Sequence, residues 1–196
     1  MTERRAEVQR TTSETDVALS FTLDGSGAAE VGTGIGFLDH MLELFAHHGG
    51  FDLTVRASGD LDVDGHHTVE DIGLALGQAL KEALGDKRGI RRYGSFILPM
   101  DEALAMVALD LSGRPYFVHD LQLAGVRLGD YDADLTPHFL RSLATQCGMT
   151  LHVRLLAGSD AHHIVEAVFK AFARALAEAC ERHGRGDAVP STKGTL

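Results

Sequence analysis

The sequence predicts an α+β fold of two internally duplicated half-domains, each a small mixed sheet with two helices on one face. Three observations predict it. The order strand, strand, short strand, helix, strand, helix can be read twice along the chain. Asp39-His40-Met41-Leu42 aligns with Pro137-His138-Phe139-Leu140, and the register then runs on without a gap. Gly50 falls on Gly148, and Phe51-Asp-Leu-Thr-Val-Arg56 falls on Met149-Thr-Leu-His-Val-Arg154. With the first loop shortened by about two residues, His66-His67 falls on His162-His163 and Glu70 on Glu166. Periodicity alone makes any two strand–helix units look alike; a matched lone histidine, glycine, histidine pair and glutamate does not arise that way.

Residues 6–12 and 15–23 alternate as strands, and Asp24-Gly25-Ser26-Gly27 reads as the hairpin turn after them. Residues 28–33 add a short third strand. Phe37, Leu38, Met41, Leu42, Leu44 and Phe45 follow a helical period up to the stop at Gly49-Gly50. Residues 51–56 alternate as a strand, and after an acidic loop Thr68 to about Leu84 forms a helix ended near Gly85. In the second half, strands are predicted at 94–98, 102–111 and 116–121, with Asp110-Leu-Ser-Gly113 echoing the hairpin turn. A helix at 136–147 stops at Gly148, a strand follows at 149–156, and the longest helix runs from about 160 to 183. Lys87-Arg88-Gly89-Ile90 is the junction, with no Pro- or Ser-rich linker, so 1–196 is expected to be one unit. Its repeats span about 1–88 and 89–186, followed by a tail at 187–196.

The chain has 196 residues, 44% hydrophobic and 23% charged, which suits a water-soluble globular domain with a real core. A formal charge of −10 with no basic run argues against nucleic acid as a partner. It leaves room for a small anion held by a few local cations. The first ten residues are polar and lack the apolar stretch of a leader, and no run is long enough to span a bilayer. Cys147 and Cys180 are far apart and in no metal-like spacing. Reduced, structural thiols in a cytoplasmic protein are expected.

Eleven histidines in this length, with pairs at 47/48, 66/67 and 162/163, need an explanation. On a helix, residues four apart share a face whereas neighbours point about 100° apart. His66 and Glu70 can therefore share one ion while His67 is aimed elsewhere, and the same holds for His162, Glu166 and His163. If the halves face each other, each ion takes a His and a Glu from one helix and the diverging His from the other. His40 and His138 then complete two equivalent sites. Nitrogen and oxygen donors without thiolate suit Mn²⁺, Zn²⁺, Fe²⁺ or Co²⁺, and open octahedral positions favour Mn²⁺ over structural zinc. Against this stands the plainer reading of surface histidines at helix starts, with Glu70 complementing the helix dipole. Two matched copies, each with a matched upstream histidine, favour metal. His47-His48 lacks a glutamate partner and sits at a helix end, where capping is as good a role as ligation. His119, His152 and His183 stand singly and read as structural.

These residues resemble a known family, imidazoleglycerol-phosphate dehydratase of histidine biosynthesis. The likeness covers nearly the whole chain. It rests on Gly36-Phe-Leu-Asp-His-Met-Leu42, His48-Gly-Gly-Phe-Asp-Leu53, Asp64-Gly-His-His-Thr-Val-Glu-Asp71 and Lys87-Arg-Gly-Ile-Arg-Arg-Tyr-Gly94. It continues through Leu109-Asp-Leu-Ser-Gly-Arg-Pro-Tyr116, Asp160-Ala-His-His-Ile-Val-Glu-Ala-Val-Phe-Lys170 and Ser191-Thr-Lys-Gly194. Thr136-Pro137 before His138 and Cys147 depart from the usual pattern without touching a proposed ligand.

The resemblance implies dehydration of imidazole glycerol phosphate to imidazole acetol phosphate, with two Mn²⁺ per active site and no organic cofactor. It also implies a homo-oligomer of trimers assembling to twenty-four chains, with active sites shared between neighbours. Glu14 matches the family's substrate-contacting glutamate and is the candidate proton carrier; on spacing alone it reads as an exposed strand-end residue. Glu166 could double as ligand and proton carrier. By position in the motifs, Arg92, Arg114, Lys170, Ser191, Thr192 and Lys193 would hold the phosphate, with His40 and His48 also against substrate. The tail would then close over the substrate.

The chemistry agrees with such a residue set. Removing a proton from an unactivated carbon needs the substrate's imidazole as electron sink, metals on its nitrogens acting as Lewis acid and template together. Water leaves through a diazafulvene-like species, and the enol tautomerises to the ketone, with a carboxylate not locked onto metal moving the protons. A two-metal hydrolase or isomerase would predict bridging carboxylates; a metal-storage or scaffold protein would predict no phosphate-binding cations and no activity.

Overall fold

Side-chain alternation builds the first sheet. Ala6 and Val8 in β1 (Arg5–Thr11), and every second residue of β2 (Thr15–Thr22), are buried, and the two strands pair antiparallel from Arg5↔Thr22 to Thr11↔Asp16. A computed structural model of the protein describes residues 3–182 and 188–194. After β2 come β3 (Ala29–Gly32), α1 (Gly36–Gly49), β4 (Asp52–Gly59) and α2 (His66–Leu84). The second half runs β5 (Tyr93–Met100), β6 (Ala103–Asp110), β7 (Tyr116–His119), β8 (Arg127–Leu128), β9 (Tyr131–Asp132), α3 (Leu135–Cys147), β10 (Thr150–Ala157) and α4 (Ala161–Cys180).

Both halves make the same mixed sheet, ordered β1-β2-β4-β3 and β5-β6-β10-β7. In each, three strands are antiparallel and the last-placed edge strand, β3 or β7, is parallel to its neighbour. The α+β class and the duplication are therefore as the sequence predicts. The hairpin turns are not. Asp24–Gly27 leads from β2 to β3, and Asp110–Gly113 from β6 to β7, but β4 or β10 lies between those strands. The true hairpins close one strand earlier, at Ser13-Glu14 and Asp101-Glu102. Thr12 N donates to Thr15 O at 2.9 Å above the first turn, and Met100 pairs with Ala103 above the second. Turn-forming composition marked where the chain reverses, not which strands it joins.

Each sheet carries its own two helices on one face, and those helices meet the helices of the other half. α2 lies on β1, β2 and β4 and packs against α3; α4 lies on β5 and β6 and packs against α1. The four helices thus form the interior between two outer sheets. Phe45 of α1 stacks on Phe172 of α4 with ring centroids 5.5 Å apart, joining the aromatic group of Phe21, Phe45 and Phe51 to the second half. Between α2 and α3 the backbones come closer still. A Cβ at Gly73 would lie 2.9 Å from the Phe139 carbonyl oxygen, and one at Gly77 would lie 2.6 Å from that of Leu143.

Helix ends explain the remaining differences. Gly50 and Gly148 cap α1 and α3 in the left-handed region, φ 69° and 73°, as the sequence predicts. α2 begins at His66, two residues before the expected Thr68, with Gly65 as its cap and the preceding Asp64 carboxylate accepting the His66 N–H at 2.7 Å. α4 ends at Cys180 instead of near 183. The carbonyls at its end are taken by the residues leading into β5: Arg92 N donates to Ala179 O and Arg91 N to Glu181 O, both at 2.9 Å. His183 lies outside the described residues, as does the 183–187 segment joining α4 to the tail. The β8–β9 ribbon is too short for alternation to announce it. No helix among the described residues is long and apolar enough to cross a membrane.

Candidate metal centre

α2 and α4 each open on a histidine pair beside an aspartate: Asp160 caps α4, whereas Gly65 is the cap of α2 and Asp64 stands just before it. Asp64 receives the His66 N–H at 2.7 Å; Asp160 receives those of His162 and His163 at 2.8 and 3.2 Å. These bonds fix the first helical turn, where the ligand side chains project. Neither aspartate was singled out from the sequence, although Asp-x-His-His occurs in both repeats and aspartate is a preferred cap.

His66 and Glu70, one turn apart, are met by His138 from α3. Their ligand atoms lie within 4.8 Å of one another. The His66 and His138 rings are 4.3 Å apart between centroids, and His138 Nε2 is 3.7 Å from Glu70 Oε1. That Nε2 is buried with no hydrogen-bond partner. Burial first, then neighbouring His66, lowers the His138 pKa. A neutral ring with an unclaimed nitrogen is the form that binds a cation, and two imidazoles with one carboxylate suit the Mn²⁺-to-Zn²⁺ series.

The repeat-related group is built alike but is not identical. His162 Nε2 and His40 Nε2 approach Glu166 Oε2 at 3.2 and 3.8 Å. The lone histidine again comes from the other half. Here, however, Lys170 donates to Glu166 Oε1 at 2.6 Å, where the first half has Leu74. Glu166 is buried whereas the Glu70 side chain is 39% exposed. Burial works to raise the Glu166 carboxyl, but Lys170 and His40 outweigh it and hold it below the usual range. His48 lies at the end of α1, and burial, then the charge of Lys170, lowers its pKa.

His67 and His163 diverge, as their helical positions require, and the chain does not bring either into these clusters. His67 Nδ1 lies 3.0 Å from Asp60 Oδ2 and 3.8 Å from Glu14 Oε2. His163 Nδ1 lies 2.7 Å from Glu102 Oε2, with Asp101 3.7 Å from its Nε2. The hydrogen bond to Asp60 raises His67, and that to Glu102 raises His163. Glu102 in turn is pulled down to about 2 by His163 and by the Asp160 and Ser159 N–H groups. Asp60 and Glu102 were missed in the sequence, since each lies outside the aligned histidine motifs.

The phosphate candidates separate into two places. Lys170 belongs to the Glu166 group. Arg92 and Arg114 flank Asp110 instead: Arg92 makes a two-pronged contact to it at 2.7 and 3.1 Å, and Arg114 stands 3.8 Å away. Arg92 Nη1 also donates to Pro190 O at 2.9 Å, which ties it to the stretch leading into Ser191, Thr192 and Lys193. Ser191 Oγ accepts the Lys193 N–H at 3.2 Å. His119, expected to be structural, keeps a buried Nδ1 without a partner. Cys147 and Cys180 are buried free thiols, and burial pushes both up.

The family model described as imidazoleglycerol-phosphate dehydratase matches residues 33–176. The chain is 57% identical over 194 residues to an imidazoleglycerol-phosphate dehydratase of Acetivibrio thermocellus, covering 99% of this chain and all of that one. It is 54% identical over 196 residues to one of Desulforamulus reducens, with both chains fully covered. Among solved structures, the enzyme of that name from Staphylococcus aureus superposes with a TM-score of 0.82 at 40% identity, covering 91% of this chain and 99% of that one. The Pyrococcus furiosus enzyme, solved in complex with (S)-C348, gives 0.83 at 39% identity, covering 96% and 100%.

Proposed function

The chain belongs to the imidazoleglycerol-phosphate dehydratase family, hydro-lyases of histidine biosynthesis, and on that premise we propose that it dehydrates D-erythro-imidazole glycerol phosphate to imidazole acetol phosphate at two metal clusters. One observation carries the metal reading: His138 Nε2, buried and unpartnered, stands with His66 and Glu70 in a single donor group. In the repeat-related position His40 and His162 each approach Glu166, at 3.8 and 3.2 Å. When bound at these donors, Mn²⁺ supplies Lewis acidity that favours the substrate's deprotonated imidazole and fixes its orientation.

The chain's own groups do the rest. Glu14 is an exposed carboxylate that no hydrogen bond holds to His67, and it moves the proton at the reacting carbon. Glu166, gripped by Lys170, serves as ligand and as a second proton station. Arg114 is the more available phosphate cation, its side chain 71% exposed and only loosely near Asp110. Arg92 is already paired to Asp110, and its contact with Pro190 O fixes the entry to the tail whose Ser191, Thr192 and Lys193 close over phosphate. Lys170 and His48 contact substrate from the Glu166 side.

Each cluster in one chain offers two imidazoles and a carboxylate. His67 and His163 are the remaining ligands, and they serve a neighbouring copy in a homo-oligomer of trimers reaching twenty-four chains. The separation of the Arg114 corner from the Glu166 group supports a site completed by more than one chain. No organic cofactor is needed, and cytoplasmic residence goes with this pathway role.

The test is turnover of imidazole glycerol phosphate by Mn²⁺-loaded, assembled protein, following the enolisable ketone product. Absence of turnover under those conditions overturns the assignment.

A further inference from the structure

The duplication extends to the two hairpin turns, and it pairs Glu14 with Glu102. Thr22, the last residue of β2, pairs with Asp52, and Asp110, the last of β6, pairs with Thr150. Asp52 and Thr150 are themselves equivalent in the repeat, so β2 and β6 superpose residue for residue. The residue before each strand is a glutamate in a two-residue turn: Glu14 before Thr15, Glu102 before Ala103. Each approaches Nδ1 of its own half's diverging histidine, but only Glu102 makes the hydrogen bond, at 2.7 Å against 3.8 Å for Glu14.

The residue that follows Gly59 or Gly158 accounts for the difference. In the first half it is Asp60, whose oxygens lie 3.0 and 3.3 Å from His67 Nδ1. In the second half a β-bulge between Leu155 and Ala157 shifts the register, so Gly158 lies against Ala103 as Gly59 lies against Thr15, and the counterpart of Asp60 is Ser159, which has no carboxylate. Glu102 fills that role, and its other oxygen accepts the N–H groups of Ser159 and Asp160 at 3.2 and 2.8 Å. It therefore orients the histidine and anchors the chain entering α4.

We infer that Asp60 and Glu102 are equivalent positioning residues, holding Nδ1–H of His67 and His163 so that each Nε2 faces outward, and that Asp60 is what leaves Glu14 free for proton transfer. A carboxylate on the far nitrogen sets the tautomer and orientation of a ligating imidazole. Two glutamates of one origin have parted: one is spent on a histidine, the other released by a neighbouring aspartate. The inference rests on the proposed roles of His67, His163 and Glu14.

The experiment compares Glu102→Ala, Asp60→Ala and Asp60→Asn in the assembled enzyme, measuring Mn²⁺ affinity by chelator competition and kcat at saturating Mn²⁺. Glu102→Ala is expected to weaken Mn²⁺ binding roughly 10–100-fold. Asp60→Ala is expected to weaken it less, because Glu14 swings in to replace the lost acceptor, and to lower kcat at least about tenfold. Asp60→Asn, whose amide oxygen still accepts Nδ1–H, should restore most of kcat. Unchanged Mn²⁺ affinity in Glu102→Ala would overturn the positioning role. An unchanged kcat in Asp60→Ala, or no rescue by Asn, would overturn the release of Glu14. If the parent binds Mn²⁺ but turns over no substrate, the proposed function fails, while the Glu102→Ala affinity still decides whether that carboxylate orients His163.

Discussion

Lys170 donates to Glu166 across one turn of α4, Nζ to Oε1 at 2.6 Å, and the repeat-related pair in α2 is Leu74 and Glu70. An ion entering the Glu166 group competes with an ammonium already there; an ion entering the Glu70 group does not. The two clusters should bind Mn²⁺ unequally, the Glu70 group first. Lys170→Ala should tighten binding at the Glu166 group by roughly tenfold, the worth of one charge-assisted hydrogen bond, while raising KM. Mn²⁺ titration followed by electron paramagnetic resonance reads both affinities, and identical two-step curves in parent and variant would refute the competition.

Gly77→Ala should destabilise the fold. Alanine gains up to about 1 kcal/mol in helix propensity, but its Cβ would meet the Leu143 carbonyl oxygen at 2.6 Å and Gln146 Cβ at 2.9 Å. Backbone cannot give way as a side chain end can, so overpacking of about 1–3 kcal/mol wins. The urea midpoint at fixed protein concentration should fall. Because α2 and α3 carry His66, Glu70 and His138, Mn²⁺ affinity should drop at that cluster more than at the other.

Asp160→Ala should cost about 1 kcal/mol, since its carboxylate accepts two N–H groups at the start of α4. Asp160→Asn should recover most of that, because Asn caps nearly as well. Equal melting temperatures for the Ala variant and the parent would show that Glu102 alone secures this helix start.

Asp52 links acid stability to one loop. Its Oδ1 accepts from Ser26 N at 2.7 Å and Ala28 N at 3.0 Å, which holds the carboxyl below its ordinary 3.8. A folded-state pKa below the unfolded one gives stability that is complete above the unfolded value and is lost as pH falls through the lowered one. Asp52→Asn should therefore flatten the fall in melting temperature between about pH 5 and pH 3. A parallel pair of curves would remove Asp52 from the acid transition.

Much of this fold was legible because the repeat repeats chemistry as well as hydrophobic period. His40 and His138, Gly50 and Gly148, and the two His-His-x-x-Glu runs fixed the pairing of halves before any strand was placed. Strand adjacency was not legible, because Asp24–Gly27 has turn residues whether the next strand pairs beside β2 or two places away. In the site, helical spacing gave His66 with Glu70 and sent His67 elsewhere. What held the diverging histidines was hidden, since Asp60 and Glu102 reach them from different strands in the two halves. The equivalence of Glu14 and Glu102 was present in the sequence, but only the sheet register shows that both turns have two residues.

His40 of the first half reaches Glu166, and His138 of the second reaches Glu70. Neither half owns a complete donor group. A half-length ancestor of this fold would have assembled its ion sites only by pairing with a copy of itself, two at a time and related by a twofold axis. Fusion turned that encounter into an intramolecular one, at the high effective concentration a short junction confers. It also freed each half to mutate alone. Lys170 facing a leucine's position, and Asp60 where the second half has Ser159, are the marks of a symmetric dimer that became one chain and then stopped being symmetric.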